Sequence, residues 1–288
     1  MPRVERETAG ITTFYLIFFR YMLGAIIGDI VGSRFEFNSA AVNPDFRLFT
    51  DECSFTDDTI CTIAIADAIM NGKPYDVALR EWCRKYPKPM GSYGGMFADW
   101  VFDDHAPANP SYGNGAAMRI SPVGWLFNDY HQILDEARAA TVVSHNHEEA
   151  VKGAQCIAVN IYWLRTQRAT KDQLAAKMEK RWGYEMLPLG DVIRIGGNGH
   201  FDSICQETVP WAVSCLIESN DFEDAIRKAI LCKGDTDTKA AITGSMAEAI
   251  YPIPDEMIAK AFTYLPDDML QIIEQFCQRM EKLKGNDK

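Results

Sequence analysis

The sequence at residues 219–251 is SNDFEDAIRKAILCKGDTDTKAAITGSMAEAIY, and its spacing of apolar residues decides the fold. After the capping sequence Ser219-Asn220-Asp221, apolar residues recur at i, i+3, i+4, i+7 and i+8, which predicts an amphipathic helix. A second helical segment, Thr238 to Tyr251, follows the acidic sequence Gly234-Asp235-Thr236-Asp237-Thr238. The stretch therefore predicts two helices joined by an acidic turn. The apolar residues of the first helix are Phe222, Ala225, Ile226, Ala229 and Ile230.

The same helical periodicity extends over most of the chain from Leu23 onward, for example from Ile133 to Thr141. Neither a period-two alternation between turn signals nor an internal repeat of 20 to 50 residues occurs. The sequence therefore predicts an all-α fold, a single compact helical bundle. Further helices are predicted at Thr59–Met70, Tyr75–Tyr86, Glu148–Thr166, Lys171–Trp182, Thr208–Glu218 and Asp267–Lys284.

Two long segments, Asp103–Gly115 and Leu187–His200, are rich in Gly, Pro and Asn and are predicted to be loops. Loops of that length inside a compact domain are usually functional or disordered. We expect both to border the active site.

Composition limits the class of protein. The 288 residues are 47% hydrophobic and 24% charged, as in an ordinary globular protein with a sizeable core. The formal net charge is −11 and no basic block occurs, so binding to a nucleic-acid backbone is not expected. Eight cysteines lie scattered without a C-x-x-C pair, which indicates free thiols in a reducing cytoplasm.

The N-terminus contains a short apolar run, Ile11 to Phe19, which is too brief to span a membrane. We therefore expect residues 1–21 to be an extension outside the domain, with a signal peptide as the alternative. Residues 22–288 are predicted to form the domain, and no membrane association is expected.

Two acidic clusters, Thr56-Asp57-Asp58-Thr59 and Gly234-Asp235-Thr236-Asp237-Thr238, each precede a helical segment. Four carboxylates brought together in the fold would repel one another unless cations neutralised them, and oxygen ligands suit Mg²⁺, Mn²⁺ or Ca²⁺. The alternative for either cluster alone is a helix N-cap. An EF-hand starting at Asp235 is excluded, because Ala240 and Met246 replace the required Gly and Glu. The two clusters together indicate a binuclear-metal hydrolase.

Glycines recur every four residues at Gly24, Gly28 and Gly32, and Glu36 continues the series. Glycine lowers helix propensity by about 1 kcal/mol per site, so the close approach of another backbone or of a ligand must compensate. Simple tight packing of helices, with Glu36 as a surface carboxylate, is the alternative.

The sequence Ser111-Tyr112-Gly113-Asn114-Gly115-Ala116-Ala117-Met118-Arg119 contains a Gly-Asn-Gly turn at the start of a helix. Backbone N–H groups at such a helix start favour an anion such as phosphate. His145 and His147 lie in a turn between two helices, where histidines more often cap or donate hydrogen bonds than bind metal.

These motifs, in this order along the chain, resemble the ADP-ribosylglycohydrolase family, and in particular its bacterial members of the dinitrogenase-reductase-activating glycohydrolase type. The resemblance extends from about Met22 to the C-terminal region. It rests on Gly28-Asp29-x-x-Gly32-x-x-x-Glu36, Phe55-Thr56-Asp57-Asp58-Thr59, Ser111 to Arg119, Ser144-His145 and Gly234-Asp235-Thr236-Asp237-Thr238.

The resemblance implies an orthogonal helical bundle with two Mg²⁺ or Mn²⁺ ions that hydrolyses the bond between ADP-ribose and an acceptor, in a protein or a small molecule. One metal would be held by Thr56, Asp57 and Asp58, the other by Asp235 and Thr238, with Asp237 as the bridge. Glu36, Asp57 and Asp58 would be catalytic, with Glu36 positioning or deprotonating the attacking water. The residues implied to bind the ADP-ribose are Ser111, Tyr112, Gly113, Asn114, Gly115, Met118 and His145.

Lys233 departs from the family pattern, because members commonly have Gly before the second Gly-Asp. If this position requires a positive φ, a side chain there strains the backbone. A catalytically impaired ADP-ribose-binding or structural member of the fold is therefore the alternative. An isoprenoid synthase is a weaker alternative, because Cys61 follows Asp57-Asp58 where helical spacing would need another carboxylate.

Overall fold

The computed structural model describes residues 21–38 and 40–286, which fold into helices joined by loops. No β-strand forms within these residues, and the prediction of an all-α fold is confirmed. Short 3₁₀ turns occur at Ser33–Phe35 and Lys171–Gln173. The α-helices are α1 (Leu23–Gly32), α2 (Asp57–Asn71), α3 (Tyr75–Lys85), α4 (Gly95–Phe102), α5 (Gly115–Met118), α6 (Ser121–Leu126), α7 (Tyr130–Val142), α8 (Glu148–Arg165), α9 (Leu174–Trp182), α10 (Leu189–Gly197), α11 (Cys205–Ile217), α12 (Phe222–Leu231), α13 (Thr236–Ala247), α14 (Asp255–Phe262) and α15 (Asp267–Asn286).

Helices α1 and α13 form the centre of the bundle, because every residue of both is buried. Their backbones are in contact: a Cβ atom added to Gly24 or to Gly28 would lie 2.1 Å from a backbone oxygen of α13. Of the explanations left open for the glycine series, the structure shows tight packing of two helices, with another backbone in close approach. At Gly32 the same test gives 2.6 Å to the Cα of Asp237. The packing therefore places the end of α1 beside the start of α13.

The predicted helices are present, with ends shifted by a few residues. Helix α11 begins at Cys205, three residues before the predicted Thr208, and α13 begins at Thr236 and ends at Ala247. Three short helices, α4, α6 and α14, were not predicted from the sequence.

The prediction of a loop at Leu187–His200 is wrong, because α10 occupies most of it. Leu189 and Val192 are buried on one face of the helix. Gly196 serves close packing rather than flexibility, since a Cβ atom there would lie 1.8 Å from the carbonyl oxygen of Cys232. The segment thus packs against the chain leading into α13. The other predicted loop, Asp103–Gly115, is non-helical up to the start of α5 and reaches the site described below.

Tyr21 lies at the start of the described chain and is buried. Its ring meets that of Trp125 edge-on, with 5.5 Å between centroids, and its hydroxyl donates a hydrogen bond to Glu281 on α15. The remainder of the predicted extension, residues 1–20, lies outside the described residues, and the division at Met22 stays a prediction. Among the described helices, none combines the length and apolarity needed to cross a membrane.

Candidate active site

The first acidic cluster lies at the N-terminus of α2, where Thr56 is the N-cap. The Oγ1 of Thr56 accepts a hydrogen bond of 3.2 Å from the backbone N–H of Asp58. The helix start thereby fixes both aspartates that follow the cap: Asp58 is buried, whereas Asp57 is partly exposed. Capping and a role in the site are therefore compatible in this cluster.

Asp29 on α1, which the sequence analysis did not assign, holds the start of α2 in place. Its Oδ2 accepts the backbone N–H groups of Thr56 (3.0 Å) and Thr59 (3.1 Å). The hydroxyl of Thr56 donates to its Oδ1 at 2.7 Å, and the hydroxyl of Thr59 donates to its Oδ2. Asp29 is fully buried, so it acts as a second cap supplied by a neighbouring helix.

The second acidic cluster follows a tight turn before α13. Lys233 has a φ of 55° and Gly234 a φ of 72°, so both lie in the left-handed region. The condition for backbone strain at Lys233, a positive φ, is therefore met. Asp235 occupies the N-cap position, but its side chain makes no capping hydrogen bond to the helix. Its carboxylate instead accepts a hydrogen bond of 2.7 Å from the Nδ2 of Asn114.

A buried ion pair stabilises this turn, and it too was missed from the sequence. The ammonium of Lys239, fully buried on α13, lies 2.6 and 2.7 Å from the two carboxylate oxygens of Asp202 and donates to the carbonyl of Lys233 at 2.8 Å. Asp202 in turn accepts the backbone N–H of Asp235 at 3.1 Å. The pair thereby fixes the backbone on both sides of Gly234.

The two acidic clusters meet in space. Carboxylate oxygens of Asp29, Asp58 and Asp237 lie within 4.8 Å of one another, and so do those of Glu36, Asp235 and Asp237. Asp237 belongs to both trios. The hydroxyl of Thr238 donates to Asp58 at 3.1 Å and joins the clusters directly. Asp57 belongs to neither trio.

Burial and mutual repulsion make these carboxylates difficult to ionise without a cation. Burial first, and then the charges of neighbouring aspartates, raise the pKa of Asp58 and Asp237 well above the usual range. Burial, followed by the charge of Asp235, raises the pKa of Glu36 to about 8. Burial raises the pKa of Asp29 to about 6, because hydrogen bonds from the two threonines oppose part of the effect.

The residues present fit a divalent metal. The Oδ1 atom of Asp58 is buried and has no hydrogen-bond partner among the described residues, which is costly for a carboxylate oxygen. Cations between the trios would satisfy this atom and relieve the repulsion. The available donors are all carboxylate and hydroxyl oxygens, the ligands that Mg²⁺ and Mn²⁺ prefer. In Asp29, by contrast, both oxygens already accept hydrogen bonds from Thr56 and Thr59.

The trios open into one cleft of about 520 Å³. Of the predicted site residues, Thr56 does not line this cleft, since it is buried under the start of α2. Two exposed phenylalanines, Phe37 and Phe201, stack at the cleft with 5.7 Å between ring centroids. The predicted residues that line the cleft are Glu36, Asp57, Asp58, Ser111, Tyr112, Gly113, Asn114, Gly115, Met118, His145, Asp235, Asp237 and Thr238.

The Gly-Asn-Gly turn lies against the metal-binding side of this cleft. The backbone N–H groups of Gly113 and Asn114 already have acceptors within the protein. That of Gly113 donates to the Oγ of Ser111 (3.1 Å), and that of Asn114 donates to the carbonyl of Ser203 (3.0 Å). Because α5 is a single turn of four residues, the helix start offers less to an anion than the sequence suggested. Asn114 instead links this turn to Asp235.

His145 lines the cleft next to the same turn. An isolated β-bridge between Asn109 and His145 ties the Asp103–Gly115 segment to the end of α7. The ring of His145 packs against Gly115, where an added Cβ atom would lie 3.1 Å from its Nε2. A side chain at position 115 would therefore press on the imidazole, so glycine suits this close packing.

Comparison with known proteins identifies relatives of this chain. A family model described as ADP-ribosylglycohydrolase matches residues 18–286. The chain is 26% identical to the ADP-ribosylarginine hydrolase Tri1 of Pseudomonas putida (strain GB-1), over 83% of this chain and 72% of that protein. It is 23% identical to the ADP-ribosylhydrolase ARH3 of Gallus gallus, over 90% and 93% of the two chains.

A solved structure shares the fold. The structure titled "ADP-ribosylglycohydrolase-related protein complex" superposes with a TM-score of 0.68 at 21% identity, covering 91% of this chain and 97% of that one. The all-helical architecture is therefore that of a known structure.

Proposed function

Because the chain belongs to the ADP-ribosylglycohydrolase family, we propose that it is a binuclear Mg²⁺- or Mn²⁺-dependent hydrolase. Its substrate would be an ADP-ribosylated protein side chain or a small ADP-ribose conjugate, cleaved at the glycosidic bond to the acceptor. The observation that carries the proposal is the pair of carboxylate trios that share Asp237. By the resemblance of its motifs we infer a bacterial member of the dinitrogenase-reductase-activating type, and eight free, buried cysteines support a cytoplasmic location.

We assign the metal ligands from the motif resemblance together with the geometry. Asp237 would bridge, with Thr56, Asp57 and Asp58 on one side and Asp235 and Thr238 on the other. When bound, the two ions would supply charge neutralisation, orientation of the ribose hydroxyls and a more acidic water. Asp29, whose oxygens are saturated by hydrogen bonds, would position Thr56 rather than bind metal directly.

The chain's own residues would complete the reaction. Glu36 is partly exposed and lines the cleft, where its carboxylate could accept a proton from water. Asp57 and Asp58 would stabilise the positive charge that develops on the ribose in an oxocarbenium-like transition state. The 111–115 turn, Met118 and His145 would bind the diphosphate and the distal ribose of the ADP-ribose.

The test is release of free ADP-ribose from a panel of substrates in Mg²⁺ and in chelator. The panel contains ADP-ribosylarginine, an ADP-ribosylserine peptide, an ADP-ribosylated nucleobase and a small ADP-ribose ester. Wild type should release ADP-ribose from at least one of them, and in Mg²⁺ only. Asp237→Ala should abolish release, whereas Asp191→Ala, which removes an exposed carboxylate of α10, should not.

Thermal stability separates a lost ligand from a lost fold. Asp237→Ala should be stabilised less by Mg²⁺ than wild type, because ligand binding to the folded state is weakened. In chelator it should be as stable as wild type or more so, because one repelling charge has gone. If Mg²⁺ raises the Tm of the variant as much as that of wild type, Asp237 is not a ligand.

The alternative is a catalytically impaired ADP-ribose-binding or structural member of the family, and the strained Lys233 before the metal turn favours it. In that case wild type would bind ADP-ribose in Mg²⁺ and hydrolyse none of the conjugates. The same panel therefore decides between the two.

A further inference from the structure

We propose that Arg119 and Ser144 are positioning residues that hold His145 as a neutral imidazole with its proton on Nε2, donating to a substrate oxygen beside Gly115. The part of this inference that concerns the substrate rests on the proposed function. The part that concerns the state of the imidazole rests on the geometry alone.

Arg119 fixes the direction of the first hydrogen bond. Its side chain is 1% exposed, and its Nη2 donates to the Oγ of Ser144 at 2.7 Å and to the carbonyl of Ala140 at 3.0 Å. A guanidinium has donors and no acceptor. The hydroxyl oxygen of Ser144 must therefore accept this bond, and the serine's own proton points elsewhere.

The proton of Ser144 is directed to His145. Ser144 is 1% exposed, so bulk water does not provide an acceptor. The Nδ1 of His145 lies 2.9 Å from its Oγ, and no other acceptor for this hydroxyl occurs among the described residues. If Nδ1 carried a proton, the buried hydroxyl would be left without an acceptor, at a cost of about 1–3 kcal/mol. Nδ1 therefore accepts, which leaves the ring proton on Nε2.

The surroundings also keep the ring uncharged. Burial, and then the positive charge of Arg119, lower the pKa of His145 to about 3. The imidazole is consequently neutral throughout the physiological range and does not serve as a general acid or proton carrier. Its function is that of a fixed hydrogen-bond donor.

The orientation of the ring places that donor in the cleft. Phe97 packs on the imidazole with 5.8 Å between centroids, and the guanidinium carbon of Arg119 lies 5.6 Å from the centre of the same phenyl ring. The Nε2 edge faces Gly115 and makes no hydrogen bond within the described residues. The amides of Gly113 and Asn114 donate inside the protein, so the Nε2–H of His145 adds a donor to the cleft beside them.

Nitrogen-15 NMR of the imidazole ring tests the relay without any catalytic readout. In wild type, His145 should show the neutral Nε2–H tautomer from pH 5 to pH 8. In Ser144→Ala it should show a mixture of tautomers. Ser121→Ala is the matched control, because Ser121 is also fully buried but its hydroxyl has no partner among the described residues. This control should keep the wild-type tautomer.

Binding of ADP-ribose in Mg²⁺, measured by calorimetry, tests the contact. Ser144→Ala should raise the Kd about fivefold to tenfold, the loss expected for one misdirected hydrogen bond. The Kd for Mg²⁺ should not change. His145→Gln places an amide nitrogen at the position of Nε2, whereas His145→Asn places one at the position of Nδ1. The glutamine variant should therefore retain more affinity for ADP-ribose than the asparagine variant.

Three outcomes would overturn parts of the inference separately. A wild-type His145 with its proton on Nδ1, or one that becomes charged near pH 6, rules out the relay. An unchanged tautomer and unchanged Kd in Ser144→Ala show that the serine does not position the ring. If wild type fails to bind ADP-ribose at all, the proposed function and the substrate contact fail together, while the NMR result still decides the relay.

Discussion

Lys233 is a residue with a side chain at a position whose backbone conformation favours glycine. Its φ of 55° is one that glycine adopts freely, whereas another residue there is strained by roughly 1–2 kcal/mol. Its carbonyl is nevertheless held by Lys239, so the conformation is imposed by the fold.

Lys233→Gly should tighten Mg²⁺ binding and leave hydrolysis the same or faster, because it removes strain and a competing cation beside the metal turn. The measurement is the Kd for Mg²⁺ by calorimetry. Lys233→Asn separates the two effects, since it removes the charge and Asn tolerates the left-handed region. Gln167→Gly is the matched control for strain alone, because Gln167 has a φ of 56°. Weaker ADP-ribose binding with unchanged metal affinity would make Lys233 a substrate contact instead.

The residues that the sequence predicted are those with a local signature. Asp57, Asp58, Asp235 and Asp237 stand in clusters beside helix starts, and such clusters are visible without a fold. Asp29 is a lone carboxylate inside an apolar helix, and its role is set by hydrogen bonds to residues 27 and 30 positions away. Its place in the Gly28-Asp29 motif was the one signal available.

At the scale of elements, the contact between α1 and α13 positions both halves of the site. Gly28→Ala should destabilise the protein by about 1–3 kcal/mol or more, because the new Cβ atom would lie 2.1 Å from the carbonyl oxygen of Ala240, and backbone cannot move aside cheaply. Gly190→Ala is the matched control, since nothing lies within 4 Å of its added Cβ atom. Urea unfolding measures both. A Gly28→Ala variant as stable as the control would contradict the packing.

The buried ion pair between Asp202 and Lys239 holds the backbone of the turn before α13. Lys239→Met leaves an unpaired buried carboxylate and should cost about 3–5 kcal/mol of stability and weaken Mg²⁺ binding, because the turn before α13 loses its anchor. The double variant Asp202→Asn/Lys239→Met should recover much of the stability, since no charge is then left unpaired. Recovery of Mg²⁺ affinity as well would show that the pair does not position the turn.

Lys73→Met is the matched control for removing a lysine. Its partner Asp67 lies at 3.0 Å, but the Lys73 side chain is 37% exposed. The stability change should stay within about 1 kcal/mol. An equal loss in Lys73→Met and Lys239→Met would show that burial is not the cause.

Elements were predictable from the sequence where apolar spacing and local composition agree. Helices α12 and α8 follow their apolar residues closely. Helix α10 was missed because Gly-rich sequence indicates a loop locally, whereas Gly196 is required by contact with Cys232, 36 positions later in the chain. Long-range packing of this kind, like the Asp202–Lys239 pair, has no counterpart in local sequence.

Over the whole molecule, buried carboxylates couple stability to pH and to metal. Burial raises the pKa of Asp29 and Asp202 to about 6, of Glu248 to about 7 and of Glu36 to about 8. Their usual values are 3.8 for aspartate and 4.5 for glutamate. The folded state therefore binds more protons than the unfolded state between pH 4 and pH 8, roughly the interval from the usual to the raised values. In this interval the free energy of unfolding falls as the pH rises.

Bound Mg²⁺ should offset the loss of stability at higher pH only where that loss comes from the carboxylates of the two trios. In chelator the Tm should fall from pH 5 to pH 8, whereas in saturating Mg²⁺ it should fall less, because the ions displace protons from the cluster and keep its charges paired. Glu248 lies outside the trios, and its pKa does not depend on their charges, so its contribution to the fall of Tm with pH should be the same in both conditions. The diagnostic quantity is therefore the gap between the two melting curves, which should widen as the pH rises. A gap that is constant from pH 5 to pH 8 would mean that Mg²⁺ binds elsewhere than at these protonated carboxylates.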